Sequence, residues 1–207
     1  MVFGRILPRS FYARSTVQVA RGLLGQVLVH GPTAGIIVET EAYLGGADLA
    51  AHSARGLTAR TRVVFGPPGH AYVYLIYGMY QCLNLVTEPA GQPGCVLIRA
   101  IHPVSGVELM RARRGDTRKV EQLANGPGKL TLALGITLAH NGADVTRGPL
   151  VVRQGACTPD REIAVTPRIG ITRSAELPLR FLLVGSACSR ARLLSEPRPS
   201  EAVKKSL

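Results

Sequence analysis

Five short β-rich segments between residues 26 and 105, QVLVH, GIIVETEAY, AYVYLI, QCLNLVT and CVLIRAI, are separated from one another by Gly or Pro. β-Branched and aromatic residues at this density favour pleated backbone, and the glycines and prolines supply turns. The stretch therefore reads as a meander of antiparallel strands, the first two flanking a Gly-Pro turn at 31–35. Ser15-Thr16 ahead of VQVARGLL and Gly25 after it mark a short helix by their polar start and glycine stop. VSGVELMRARRG and PGKLTLALG also carry helical spacing, and strands return at GPLVVR, PRIGIT and LRFLLV. Helices and strands do not alternate regularly, so the predicted class is α+β, a single domain with a mainly antiparallel sheet and surrounding helices, rather than a doubly wound sheet. With 207 residues, 46% of them apolar, the chain can build such a core without disulfides or a metal. That core is expected over about 11–194, and the polar, Pro-containing SEPRPSEAVKKSL (195–207) as a flexible tail.

Charge points to a partner. Lys and Arg total 25 against 13 Asp and Glu, a formal charge of +12 that attracts a polyanion, nucleic acid above all. A basic protein from an Arg-rich proteome would show the same excess without such a partner. Cys82, Cys95, Cys157 and Cys188 lie far apart with no CxxC pair, and His30, His70, His102 and His140 lack ligand spacing, so neither a metal nor another cofactor is expected. Absence of a disulfide framework fits a reducing, cytoplasmic setting. There is no apolar stretch of signal-peptide or membrane-span type, so a soluble protein is expected. No GxSxG is present, which disfavours a nucleophilic hydrolase of that kind.

In GIIVETEAY, period-two alternation places Glu39, Glu41 and Tyr43 on one face, with Ile36, Val38 and Ala42 on the other. Facing a cleft, one carboxylate can activate a water while the tyrosine stacks on a flat ligand; facing solvent, the same residues only decorate a surface. Arg99, in the otherwise apolar CVLIRAI, needs a carboxylate or water as partner, and Glu39 or Glu41 is the natural one. A guanidinium there favours a charged glutamate, which suits a base, and equally a structural ion pair. Five of the six tyrosines, Tyr43, Tyr72, Tyr74, Tyr77 and Tyr80, fall within residues 43–80. In a basic protein they offer stacking surfaces for bases, although tyrosine is also an ordinary strand residue. Tyr72 and Tyr74 should share one strand face, and Tyr77 beside Gly78 should project from a turn. His52 and Asn84 carry little weight singly. NGPGKL (125–130) precedes a helix and can hold a phosphate through backbone N–H groups and Lys129, without the spacing of a nucleotide-binding loop.

Together, VARGLLGQVL, IVETEAYLGGADLAAHSARG, YVYLIYGMYQCLN, CVLIRAIHP and NGPGKL resemble the alkyladenine (3-methyladenine) DNA glycosylase family, from about Phe11 to beyond Phe181. The resemblance implies a curved sheet and a protruding β-hairpin that inserts into double-stranded DNA, with Tyr77 and Gly78 at its tip and Lys129 on the backbone. It implies a repair enzyme that flips an alkylated or deaminated purine into a pocket; one flipped base needs one pocket, so a monomer is expected. Tyr43 and Tyr74 match the aromatic walls, and His52 matches the residue that stacks on the base and contacts its edge. Asn84 matches the residue set against guanine, with Leu97 also in the pocket. Glu41 matches the general base and Arg99 its partner in positioning water. Released purine and an abasic site would be the products; a non-catalytic binder of alkylated DNA is the alternative. The segment LTARTRVVFGPPG (57–69), where family members place a further side chain against DNA, here carries Val63, Val64 and Phe65, and the loop TEPAGQPG also departs from the pattern.

Overall fold

The computed structural model describes residues 3–115 and 119–186. Eight strands follow in chain order: β1 (Val27–His30), β2 (Thr33–Tyr43), β3 (Ala71–Ile76), β4 (Tyr80–Val86), β5 (Cys95–Ser105), β6 (Leu150–Arg153), β7 (Ile163–Thr166) and β8 (Arg180–Leu183). Five short helices accompany them: α1 (Arg9–Tyr12), α2 (Thr16–Gly22), α3 (Val107–Arg114), α4 (Val120–Leu123) and α5 (Pro127–Leu134). The strands make one antiparallel sheet in the order β3-β4-β5-β2-β1-β6. β2 is long enough to pair along one edge with β5 and to divide its other edge between β1, over its first residues, and β8, over Glu39 to Glu41. β7 then pairs with β8. The α+β class and the single domain expected from the sequence are present, but the five-strand meander is corrected: β1 and β2 form a hairpin and β3-β4-β5 a meander, and β2 pairs with β5 instead of β3.

Alternation sorts the two faces of the sheet. Val73, Leu83, Leu85, Val96 and Ile98 point toward α2–α5 and share one core with Leu23, Leu24, Met110, Leu123, Leu130 and Leu134. Their sequence neighbours Tyr72, Tyr74, Val86 and Cys95 point the other way, into a second, smaller cluster with Tyr43, Val63 and Val64. Val63 and Val64 thus support the aromatic residues. The α2 helix starts as predicted, with the Ser15 hydroxyl accepting from the Gln18 N–H, and the Glu88 carboxylate also accepts from the Thr16 N–H at 2.6 Å. Residues ahead of Phe11 join the sheet as well: Leu7 is buried and its N–H donates to the Val152 carbonyl. The expected tail at 195–207 lies outside the described residues.

Two further expectations are corrected. Strict alternation in β2 fails at Val38, where the register against β5 shifts. Ile37 and Ala42 therefore face the main core, while Ile36 and Val38 join a separate cluster with Ala100 and Leu183. Glu39, Glu41 and Tyr43 follow the shift at Val38, and a further shift between Glu39 and Thr40 leaves Arg99 of β5 as the residue without a partner in the register, beside both acids. PRIGIT is not a strand: β7 ends at Thr166, and Arg168 and Ile169 spend their polar groups on Asp48 and Glu41 instead of a ladder.

Near the N-terminus, Asp144 receives Arg9 at 2.8 Å and Arg147 at 2.9 Å, together with the Thr146 hydroxyl at 2.6 Å. Burial opposes its charge, but the Thr146 hydrogen bonds and Arg9 outweigh it and pull the Asp144 carboxyl from its ordinary 3.8 to about 2. Because the folded value is the lower one, the resulting stability is fully present above 3.8 and is lost as pH falls through about 2. Asp144→Asn should lower stability at neutral pH and flatten the acid limb of the denaturant-midpoint profile across that window.

Candidate active site

One row of residues crosses five strands on the face turned away from the helices. Strand pairing places Tyr72 opposite Asn84, Asn84 opposite Leu97, Leu97 opposite Glu41, and Glu41 opposite Arg180. Directly paired residues point to the same face of a sheet, so segments far apart in sequence converge here. A cavity of about 1060 Å3 lies over this face. Of the residues expected at the site, Tyr43, His52, Tyr74, Tyr77, Asn84, Leu97, Arg99 and Lys129 line it, whereas Glu41 and Gly78 do not.

Glu41 sits directly behind the wall. Its side chain is fully buried, and three cavity-lining residues engage it. Tyr43 donates its hydroxyl to Oε2 at 2.9 Å, the Ile169 N–H donates to Oε1 at 2.9 Å, and Arg99 Nη1 lies 3.2 Å from Oε1. An ionised carboxylate has about four lone-pair sites, so roughly one remains for a further donor such as water. Arg99 also donates from Nε to Glu39 at 2.8 Å and so spans both acids. Burial disfavours the guanidinium charge, but Glu41 and Glu39 outweigh it and raise the Arg99 pKa above its ordinary value. The choice between Glu39 and Glu41 as partner, open in the sequence, resolves to both. Burial first, and the Glu41 charge second, push the Tyr43 phenol well above its ordinary range, so it remains a donor.

Further aromatic residues line the cavity. Tyr72 and Tyr74 share a face as predicted, with ring centroids 5.4 Å apart, and His52 meets Tyr74 edge to face at 4.6 Å. His52 Nδ1 is 3.0 Å from the Tyr72 hydroxyl, and Arg60 Nη2 is 3.4 Å from Nε2. Because Arg only donates, this arrangement makes Nε2 the acceptor and Nδ1 the protonated nitrogen. Burial, helped by the Arg60 and Arg55 charges, lowers His52 to about 4, so the ring is neutral near pH 7. Asn84 is locked: its amide donates to the Tyr72 carbonyl at 3.2 Å, and its oxygen lies 3.9 Å from the Cys95 thiol.

Above the cavity stands the β3–β4 hairpin. The Met79 N–H bonds the Ile76 carbonyl, and Tyr77 and Gly78 hold φ values of 53° and 68° between them. Glycine adopts that backbone freely; tyrosine does so at a cost on the order of 1 kcal/mol or more. Tyr77 is nonetheless 79% exposed, with Met79 exposed beside it. The hairpin is braced by α5, where a Cβ at Gly128 would meet Tyr80 atoms at 3.0–3.1 Å. Pro127 occupies the first turn of α5, and Lys129 reaches Asn125 at 3.0 Å.

Four basic residues and one acid here carried no signal in the sequence. Arg180 donates to the same Glu39 oxygen as Arg99, at 2.7 Å. Arg168 makes a two-pronged pair with Asp48 at 2.6 and 2.7 Å and lies 4.7 Å over the Tyr43 ring. Arg60 lies 5.2 Å over Tyr74, and Arg114 lines the cavity. The order of the sheet brings Arg180 to the site, while loops carry Asp48, Arg60 and Arg168 there and the end of α3 carries Arg114. Among the described residues, no three His, Cys, Asp or Glu side chains gather into a group able to hold a metal, and no helix is long and apolar enough to cross a membrane.

The family model for methylpurine-DNA glycosylase matches residues 10–187. A protein of Methanoculleus marisnigri named "Putative 3-methyladenine DNA glycosylase" is 56% identical over 186 residues, covering 87% of this chain and 96% of that one. Proteins of the same name from Methanocella arvoryzae and Rhodopseudomonas palustris are 52% and 48% identical, over 90% and 95% of this chain and 96% and 91% of theirs. A match of this length and identity means that the chain belongs to the methylpurine-DNA glycosylase family.

Proposed function

We propose that this protein is a base-excision-repair glycosylase that flips alkylated or deaminated purines from duplex DNA and hydrolyses their bond to the sugar. The observation that carries the reading is Glu41, held by Arg99 immediately behind an aromatic cavity large enough for a flipped nucleotide. Glu41 accepts a proton from water as its oxygen attacks C1′, where the sugar has oxocarbenium character, and the C1′–N bond breaks with its electron pair going to the base. A cationic 3-methylated or 7-methylated purine leaves as a neutral base; a neutral purine such as hypoxanthine or ethenoadenine needs a proton as it departs. Tyr43, Tyr74 and His52 stack on and enclose the base, Leu97 packs against it, and Asn84 opposes the exocyclic amino group of guanine. Lys129 and the start of α5 hold DNA phosphate, and +12 net charge favours the encounter. The protein acts as a monomer in the cytoplasm, on the nucleoid if bacterial.

Duplexes carrying a single 3-methyladenine, 7-methylguanine, hypoxanthine or ethenoadenine test this directly. Free purine and an alkali-labile abasic site in an otherwise intact strand are expected from at least the cationic lesions. Selective binding with no released purine from any of them would show a recognition protein instead.

Tyr77 and Gly78 form the inserting tip in this reading, with Tyr77 filling the space the flipped base leaves. Tyr77→Gly should therefore separate stability from function. Relief of the positive φ should stabilise the fold by about 1 kcal/mol in denaturant melts, while purine release slows because unstacking, worth a few kcal/mol, loses its wedge.

A further inference from the structure

We propose that Arg180 is a positioning residue for the hydrolysis: by sharing Glu39 with Arg99, it balances the charge of the buried Glu39–Glu41 pair and leaves both carboxylates ionised. The inference rests on the reading of Glu41 as the base.

Two buried acids and two arginines meet here. Glu39 and Glu41 are 3% and 0% exposed, and Arg99 and Arg180 are 14% and 7% exposed. Two enclosed carboxylates beside a single cation disfavour one another's charge. Arg99 spans both acids through Nε and Nη1. Arg180 supplies the second positive charge, 2.7 Å from Glu39 Oε1, with Nη1 also 3.3 Å from the Thr166 hydroxyl. Pairing between β2 and β8 sets Arg180 directly opposite Glu41, on the same face of the sheet.

Among the described residues, no other group facing Glu41 supplies a positive charge without its own counter-charge. From β2 come Glu39 and the Tyr43 hydroxyl, a neutral donor; from β5 comes Arg99; from β4 comes the Cys82 thiol, whose pKa burial raises. The segment after β7 brings the Ile169 N–H and Arg168, but the Arg168 charge is already matched by Asp48. Arg180 thus decides whether the pair carries one proton or none, and with it whether Glu41 is free to accept a proton from water.

The test compares single-turnover purine release across pH for the parent, Arg180→Gln, Arg180→Lys and Glu39→Gln/Arg180→Gln, with melting curves to establish folding. Arg180→Gln should move the acid limb upward by about one pH unit, a loss of about tenfold on that limb that is recovered at higher pH. Arg180→Lys keeps the charge and should stay near the parent. The double variant leaves Arg99 with Glu41 alone and should return the limb to its original place. A uniform loss at every pH, with no return in the double variant, would mean that Arg180 only braces the sheet, and would overturn the proposal. Should Arg180→Gln fail to fold, Glu39→Gln alone, with two arginines to one carboxylate, must move the limb downward; no movement overturns it equally. Carbon-13 titration of the Glu41 carboxyl gives a readout independent of turnover. An identical titration in the parent and Arg180→Gln rejects the charge balance, whereas a shifted titration together with a fully active Glu41→Gln keeps it and rejects the assignment of Glu41 instead.

Discussion

Glu41→Gln is expected to slow purine release by about 10² to 10⁴-fold, the usual contribution of a positioned acid or base, while the lesion-bearing duplex still binds. Gln preserves volume, and its carbonyl oxygen can still accept from Arg99 and the Ile169 N–H, so those contacts at 3.2 and 2.9 Å need not be lost. The other oxygen becomes an NH2 group. Tyr43, which donates to that oxygen in the parent, must then turn its hydroxyl into an acceptor. What disappears is the capacity to take a proton from water. Single-turnover release with enzyme in excess isolates the chemical step, and fluorescence anisotropy on the same duplex reports binding. Undiminished release would transfer the role to Glu39, the carboxylate that does line the cavity.

Patterns of residue type along the chain made much of this site legible. Period-two alternation placed Tyr72 and Tyr74 together, Tyr77-Gly78 marked the turn, and a lone Arg in an apolar strand required a carboxylate. Each of those inferences uses neighbours in sequence. The resemblance to a known family added roles for His52, Asn84 and Leu97 that local spacing does not reveal. The strand row makes clear why: Leu97 lies between Asn84 and Glu41 only because β4, β5 and β2 are adjacent. Arg168 and Arg180 were illegible for the same reason. Both lie in segments that read as ordinary β structure, PRIGIT and LRFLLV, while their acidic partners Asp48 and Glu39 lie 120 and 141 residues away. Alternation failed at Val38 because a β-bulge is set by pairing with a partner strand, not by the strand's own side chains.

The largest loss of stability is expected from Asp48→Ala. The Asp48 and Arg168 side chains are 1% and 0% exposed and are joined twice, at 2.6 and 2.7 Å. Asp48 further accepts from the Leu44 and Ala50 N–H groups, and Arg168 donates to the Ala42 and Ser174 carbonyls. The pair therefore ties the turn after β2 to the segment after β7. Removing the carboxylate leaves a guanidinium enclosed without its counter-charge, which costs about 3–5 kcal/mol. Burial opposes the Asp48 charge, but the Arg168 hydrogen bonds outweigh it and hold the carboxyl below its ordinary 3.8, so this stability is present above that value and lost as pH falls below it. Denaturant melts at neutral pH should show the full loss in Asp48→Ala, and the gap between parent and variant should narrow in acid. Removing both charges, in Asp48→Leu/Arg168→Met, should restore much of the stability, since an apolar pair of similar volume leaves no stranded charge. It should not restore purine release to the same extent, because Arg168 also backs the Tyr43 ring at 4.7 Å and precedes the Ile169 N–H that holds Glu41. Recovery of stability and release together would show that the pair serves the fold alone; recovery of stability without release would tie it to the placement of Tyr43 and Glu41.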